Sequence, residues 1–419
     1  MTVRREVQIP EPEVHRNRNH SRSRRLLMAV VASTAFLVFA GSASALIIVN
    51  SPHGSHATGN LTVSAAVWTT PSNELSAPVV AISGGATSGS GNFNDIFCTS
   101  PIDCVAVGGD NSLDGLAAVS TDGGGAWAES DVASGLPDLN AVDCPSATSC
   151  VAVGVAGTST SNDGGATWQP HDIPSANTTL LSISCASVST CVAVGVSPGN
   201  AGPYFGQLLL STNSGSTWTV PTLPPHVGAL GSVDCPSPTL CVAVGDQILV
   251  SVDGGQSWSA RFVNGGTGAL RSVSCSSSTD CVALGPNPDG LINANDGAFE
   301  IVSRDGGATW NPVSTPAGSW TLTSIYCSGG SNCVAGGPAL SSASTALLLE
   351  SSDGGTSWNS QHLTGGLSSI GSMSCPSASI CVFTGREGTN AIVSGVNGGT
   401  QSATSSVTSV VTVQNGGAQ

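Results

Sequence analysis

The stretch Cys235-Pro-Ser-Pro-Thr-Leu-Cys241-Val-Ala-Val-Gly245 is followed, six positions on, by Ser251-Val-Asp253-Gly-Gly255-Gln-Ser-Trp258. Two cysteines that enclose five residues suit the two ends of a hairpin loop, because opposed residues in an antiparallel pair bring their Cα atoms within disulfide reach. Val-Ala-Val-Gly reads as a strand leaving the second cysteine, and Ile248-Leu-Val250 reads as the next one. The segment from Ser251 to Trp258 then makes a turn. Asp253 accepts a hydrogen bond from backbone two residues on, Gly255 takes a positive φ without a Cβ clash, and Trp258 covers the hairpin. One unit therefore has four strands: A ends at the first Cys, B starts at the second, C leads into the turn, and D carries the Trp.

Working outward, the same unit recurs along the chain. The cysteine pairs are Cys98 with Cys104, Cys144 with Cys150, Cys185 with Cys191, Cys235 with Cys241, Cys275 with Cys281, Cys327 with Cys333, and Cys375 with Cys381. They are spaced 46, 41, 50, 40, 52 and 48 residues apart. That period suits a four-stranded propeller blade. Six copies of the turn motif lie between them: Asp122 with Trp127, Asp163 with Trp168, Asn213 with Trp218, Asp253 with Trp258, Asp305 with Trp310, and Asp353 with Trp358. From each Trp to the next cysteine is always 17 positions, whereas the stretch from a second Cys to the next box Asp or Asn varies from 12 to 24. Insertions are confined to the B to C connection. The expectation is an all-β, seven-bladed β-propeller of four-stranded blades over 93–419, with each cysteine pair bridged locally. The pair spacing does not match the shorter separation of zinc ligands.

The seventh turn slot, Asn397-Gly-Gly399-Thr-Gln-Ser402, has no Trp. Two segments compete to complete that blade: Val67-Trp68 in the linker 50–92, which resembles a box-type D strand, and the apolar run Val407 to Val413.

The box resembles the S-x-D-x-G-x-T-W pattern of the Asp-box, or BNR, propellers. That group includes sialidases and other glycoside hydrolases, sortilin-type receptors and photosystem II assembly-factor-like proteins. The likeness covers about residues 93 to 402, with departures at Asn213-Ser-Gly215 and at Ala126. Within the group the box is structural, so the resemblance implies a fold and leaves the activity open.

Charge divides the chain. Seven of its eleven basic residues lie in the Arg-rich segment 1–25, there is no Lys, and beyond residue 25 four arginines face 23 acidic residues, about −19 in all. Such a balance repels polyanions, and nucleic acid is not expected as a partner. Leu26 to Val49 runs 24 residues without a charge, enough for a helix to cross about 30 Å of hydrocarbon. The expectation is an N-terminal transmembrane helix that anchors the chain in the cell membrane, single-pass, with the Arg-rich tail cytoplasmic and the propeller extracellular. The alternative is a signal peptide cleaved near Ala45, giving a secreted protein. A monomer is expected.

The resemblance to sialidases implies an arginine triad, a Tyr nucleophile with a Glu partner, and an Asp acid/base. Arg304 sits in a box, which leaves Arg261, Arg271 and Arg386 for a triad, and Tyr204 and Tyr326 are the only tyrosines. Tyr204, in a long loop, and the carboxylates Asp289 and Glu300 are the candidates for an exo-sialidase-like or other glycoside hydrolase. The expectation preferred here is a non-catalytic recognition or scaffolding module that binds a glycan or protein through its B to C loops. No cofactor is expected. Asp110 and Asp114 in one loop, with Asp289 and Asp296 in another, supply oxygen ligands that would suit calcium, although their spacing fits no EF-hand.

Overall fold

The computed structural model describes residues 61–67, 78–82, 92–109, 115–124, 127–132, 138–175, 177–197, 205–263, 269–286, 298–319, 322–329, 331–338, 346–362, 367–377, 380–387, 390–397 and 409–413. These residues contain strands and turns and no helix. All of them fall in the compact unit His56–Gln419.

Six blades follow one plan. In the fourth, strands A to D are Leu230–Asp234, Cys241–Gly245, Ile248–Ser251 and Ser259–Arg261, paired antiparallel in that order. Strand B is buried along its whole length, as are Cys150–Gly154 and Cys281–Gly285 in other blades. A strand covered on both faces reads as an unbroken apolar run, which is why Val-Ala-Val-Gly recurs there. Strand D is mostly exposed, as in Thr167–His171. The core lies in the seams between blades. Trp310 of the fifth blade packs among Val242, Val250, Ile248 and Ala283, and Trp258 of the fourth among Val192, Leu208 and Leu210.

The cystines lie where the spacing put them. Cys98 is bridged to Cys104, Cys144 to Cys150, Cys185 to Cys191 and Cys235 to Cys241. Cys275 is bridged to Cys281, Cys327 to Cys333 and Cys375 to Cys381. Their Cα atoms are 3.9 to 4.0 Å apart throughout. In the blades the second cysteine pairs across the ladder with the box serine, as in Cys104 with Ser120, Cys191 with Ser211, Cys241 with Ser251 and Cys333 with Ser351. Loop staple and turn therefore sit at the same end of each blade. Cys381 differs: its partner across the ladder is Val396, and no box serine stands there.

Two parts of the expected fold are corrected. The described residues form a six-bladed propeller, not a seven-bladed one. The seventh cysteine pair, Cys375 and Cys381, lies in a six-stranded sheet of different make, ordered Leu367–Ser377, Ile380–Glu387, Asn390–Asn397, Pro78–Ile82, Leu61–Val67 and Ser409–Val413. A count of cysteine pairs overcounts blades because a disulfide hairpin needs only two strands, and the Asp-box turn is missing here. Its first strand packs between the A strands of the sixth and first blades and closes the ring. Val67 of one segment that competed to complete a blade and Ser409–Val413 of the other lie in this sheet, where Leu61 pairs with Val413 and Ser64 with Val410, while Trp68 and residues 407–408 lie outside the described residues. The second correction concerns the transmembrane helix. No helix among the described residues is long and apolar enough to cross a membrane. The stretch Leu26 to Val49 lies outside them.

Candidate functional site

Each box is a closed hydrogen-bond unit. In the fourth blade, Ser251 Oγ accepts from the amides of Asp253 and Gly255 and donates to Asp253 Oδ1. Asp253 accepts from Ser257 N at 2.9 Å and from its hydroxyl at 2.5 Å. These bonds hold the carboxyl below the usual carboxylate range, the Ser257 hydroxyl contributing most, and Asp353 falls to about 2 for the same reason. The second glycine, Gly255, has φ +87° and lies so near Val192 of the preceding blade that a Cβ would come within 2.8 Å of it. Asp122, Asp163, Asn213, Asp305 and Asp353 occupy equivalent turns. The box residues are committed to the fold.

The indole N–H of each box Trp shows what lies in the seam. Trp127, Trp168, Trp258 and Trp310 donate to the carbonyl of their own box glycine. Trp218 reaches instead to Thr158 Oγ1 of the second blade, 3.0 Å away. Thr158 stands three residues before its box serine, and in the fifth blade that position is Glu300. Glu300 is 1% exposed and faces the indole of Trp358 in the sixth blade, although Glu300 Oε1 and Trp358 Nε1 do not close a hydrogen bond of regular geometry. Burial pushes its carboxyl up to about 8 against the lowering effect of the indole, and Asp353 raises it further. The sequence candidate Glu300 is thus a seam residue, buried between two blades.

Around the axis, side chains just before the first cysteines tie neighbouring blades together. Asp95 accepts from Val142 N, Asp143 from Cys185 N, Ser184 from Cys235 N, Asp234 from Cys275 N, Ser274 from Cys327 N and Ser374 from Cys98 N. Buried backbone donors of this kind need acceptors, and the A strand has no further strand on its axial side. Burial raises Asp95, takes Asp143 up to about 7 and takes Asp234 up to about 6, each against the lowering effect of its hydrogen bonds. Tyr326 faces the same axis and is raised by burial and by the charges of Asp234 and Asp143. Sequence reasoning missed this girdle, although Ser or Asp recurs one position before five of the seven first cysteines.

Arg304 is spent as well. It pairs with Asp280 at 3.3 Å and donates to Asp353 O, Gly354 O and Thr356 Oγ1 in the next blade. The remaining sequence candidates, Tyr204, Asp289, Asp110, Asp114 and Asp296, lie outside the described residues, so the calcium expectation and the Asp289 pairing fall there too. Among the described residues no group of three or more His, Cys, Asp or Glu is placed to hold a metal.

The face opposite the boxes carries an open groove of about 390 Å³, lined by Pro224, Pro225, Asp246, Gln247, Arg261, Phe262 and their neighbours. Its origin is local. Strand B of the fourth blade ends at Gly245 and strand C begins at Ile248, so the connection is only Asp246-Gln247 and leaves the end of strand D uncovered. Phe262 there is 93% exposed. The sequence reading looked for recognition in the longest loops, whereas this groove forms beside the shortest.

No family model matches the chain, and no curated protein matches it. Solved structures do. YCF48 bound to D1 peptide is 16% identical with a TM-score of 0.53, over 81% of this chain and 100% of that one. The GH74 xyloglucanase from Xanthomonas campestris is 17% identical with a TM-score of 0.54, over 76% of this chain but only 54% of its own. The WD40 propeller domain of Doa1 is 12% identical with a TM-score of 0.52, over 80% and 97%. This chain spans 37% of the length of an ancestral GH74 enzyme that it also matches. The likeness is one of fold. It supports a β-propeller and does not extend to an Asp-box family match.

Proposed function

We propose that this chain is a non-catalytic recognition propeller that works in an oxidising compartment outside the cytoplasm. The observation that carries the reading is the position of Glu300, a candidate acid that is buried against Trp358 between two blades. Arg304 is engaged in an interblade clip, and Tyr326 faces the axial wall beside carboxylates raised by burial. Seven local disulfides fit export, since such bonds persist where thiols are not kept reduced. YCF48, similar in fold, is a propeller bound to a peptide in its solved structure, and a rigid scaffold with an open groove suits the same kind of use here.

The test compares chemistry with binding. The purified protein is incubated with fluorogenic sialosides and a panel of other glycosides, beside the double variant Tyr204→Phe and Tyr326→Phe. No turnover is expected from either. Turnover that disappears in the double variant would replace this reading with a sialidase-like mechanism.

A further inference from the structure

The groove beside Phe262 combines two features. Its floor and wall are apolar: Pro224, Pro225, Val263 and the exposed ring of Phe262. The polar groups at the rim differ in what they leave open. Gln247 already donates to His226 O and Asp246 accepts from Ala229 N. Among the described residues Arg261 donates one bond, to the adjacent carbonyl of Ala260. The single ion pair among the described residues belongs to Arg304 and Asp280, so Arg261 has no carboxylate within 4.0 Å there. What sets Arg261 apart from Arg304 is that it lines an apolar groove with its guanidinium uncommitted to a carboxylate.

We infer that this groove binds a polypeptide segment in which a carboxylate side chain sits next to a large apolar residue. The inference rests on the recognition reading above and names its site. The guanidinium presents a planar fork that matches a carboxylate, while Phe262 and the two prolines cover an apolar side chain with little loss of rotamer freedom. A neutral glycan would need several open donors and acceptors around each ring, and the hydrogen bonds within the rim reduce that supply. Long-range repulsion from the acidic chain is screened beyond about 8 Å at physiological salt, which leaves Arg261 and Asp246 as the local charges, and of these two Arg261 is the one that attracts a carboxylate.

The experiment uses the full chain with its disulfides intact and fluorescence anisotropy with labelled octapeptides that place Asp beside Leu, Phe or Trp. Each has a twin with Asn in place of Asp. Cellohexaose is the glycan probe. At least one Asp peptide should bind, its Asn twin should bind about tenfold more weakly or less, and Arg261→Gln should weaken the Asp peptide by a similar factor. Phe262→Ser should weaken both twins. Because Phe262 is almost fully exposed, its loss should leave the melting temperature unchanged, and Arg271→Gln, outside the groove, should bind as the parent does. Equal binding of the twins, no effect of Arg261→Gln, no binding by any peptide, or binding of cellohexaose alone would each overturn the inference. Peptide binding that ignores Arg261 and Phe262 would leave the recognition reading standing and remove only the groove, whereas glycoside turnover lost in the tyrosine variant would remove the reading itself.

Discussion

Glu300 faces Trp358 across the seam between the fifth and sixth blades, in the place that Thr158 and Trp218 hold between the second and third. The same repeat position meets the same need with two chemistries. Where it is apolar, as at Leu208 or Ile248, the next tryptophan turns to its own turn glycine. Unlike the threonine, the glutamate brings a titration.

That titration sets a pH dependence. Glu300 is held at about 8, Asp143 at about 7 and Asp234 at about 6, all above their unfolded values. The folded state therefore binds more protons than the unfolded chain between roughly pH 4 and 8, and stability falls as pH rises through that window. Calorimetry should show a lower melting temperature at pH 8.5 than at pH 5.5. In Glu300→Gln the drop should be smaller, because the amide stays neutral; parallel curves for the variant and parent would count against the assignment.

The girdle residues should separate by whether an acceptor remains. Asp234→Ala leaves the Cys275 amide without its partner, at a cost of about 1 to 3 kcal/mol. Asp234→Ser should cost less than Ala, since Ser184 and Ser274 serve the equivalent amides elsewhere in the ring. Urea denaturation measures both, and equal losses would show that the acceptor is irrelevant.

Much of this was legible beforehand for a physical reason. Turn chemistry and disulfide geometry act within about ten residues, so the pair Cys185 and Cys191 or the stretch Ser251 to Trp258 announces its structure locally. The pair Cys375 and Cys381 did so too, and it misled the blade count because a local signal cannot say what lies beyond its own hairpin. The girdle, the Glu300 seam and the ring-closing sheet join residues tens to hundreds of positions apart, as in Ser374 with Cys98. Nothing in a single repeat marks them. The groove was hidden because its making depends on what a short turn fails to cover.

Asn213 already tests the box. Its Oδ1 accepts from Thr217 N at 2.9 Å and its Nδ2 donates to Thr217 Oγ1 at 2.8 Å, which reproduces the aspartate's geometry with one bond reversed. Asp253→Asn should therefore cost less than about 1 kcal/mol, and Asp253→Ala about 1 to 2. The comparison needs only two melting curves at pH 7, and an asparagine as damaging as alanine would contradict it.

For Arg304, local opening is the informative measurement. The ion pair with Asp280 is partly exposed and contributes little to global stability. Its bonds to Asp353 O and Gly354 O span two blades, however. Arg304→Ala should speed hydrogen exchange in the sixth box while the melting temperature moves only slightly. Unchanged exchange there would mean that the clip has no mechanical role.

The sheet that closes the ring joins Leu61–Val67 to Ser409–Val413 and Pro78–Ile82 to Asn390–Asn397. During synthesis the two early strands emerge more than 300 residues before their partners. At about 5 to 20 residues per second, that is a wait on the order of 15 to 60 s. Throughout it the first blade has one unpartnered flank and the nascent ring remains an open arc. Chaperone capture and mispairing with another chain compete for this flank until Leu367–Ser377 arrives, and for the early strands until Ser409–Val413 pairs with them, so these two late strands set the moment at which the molecule becomes safe from its neighbours.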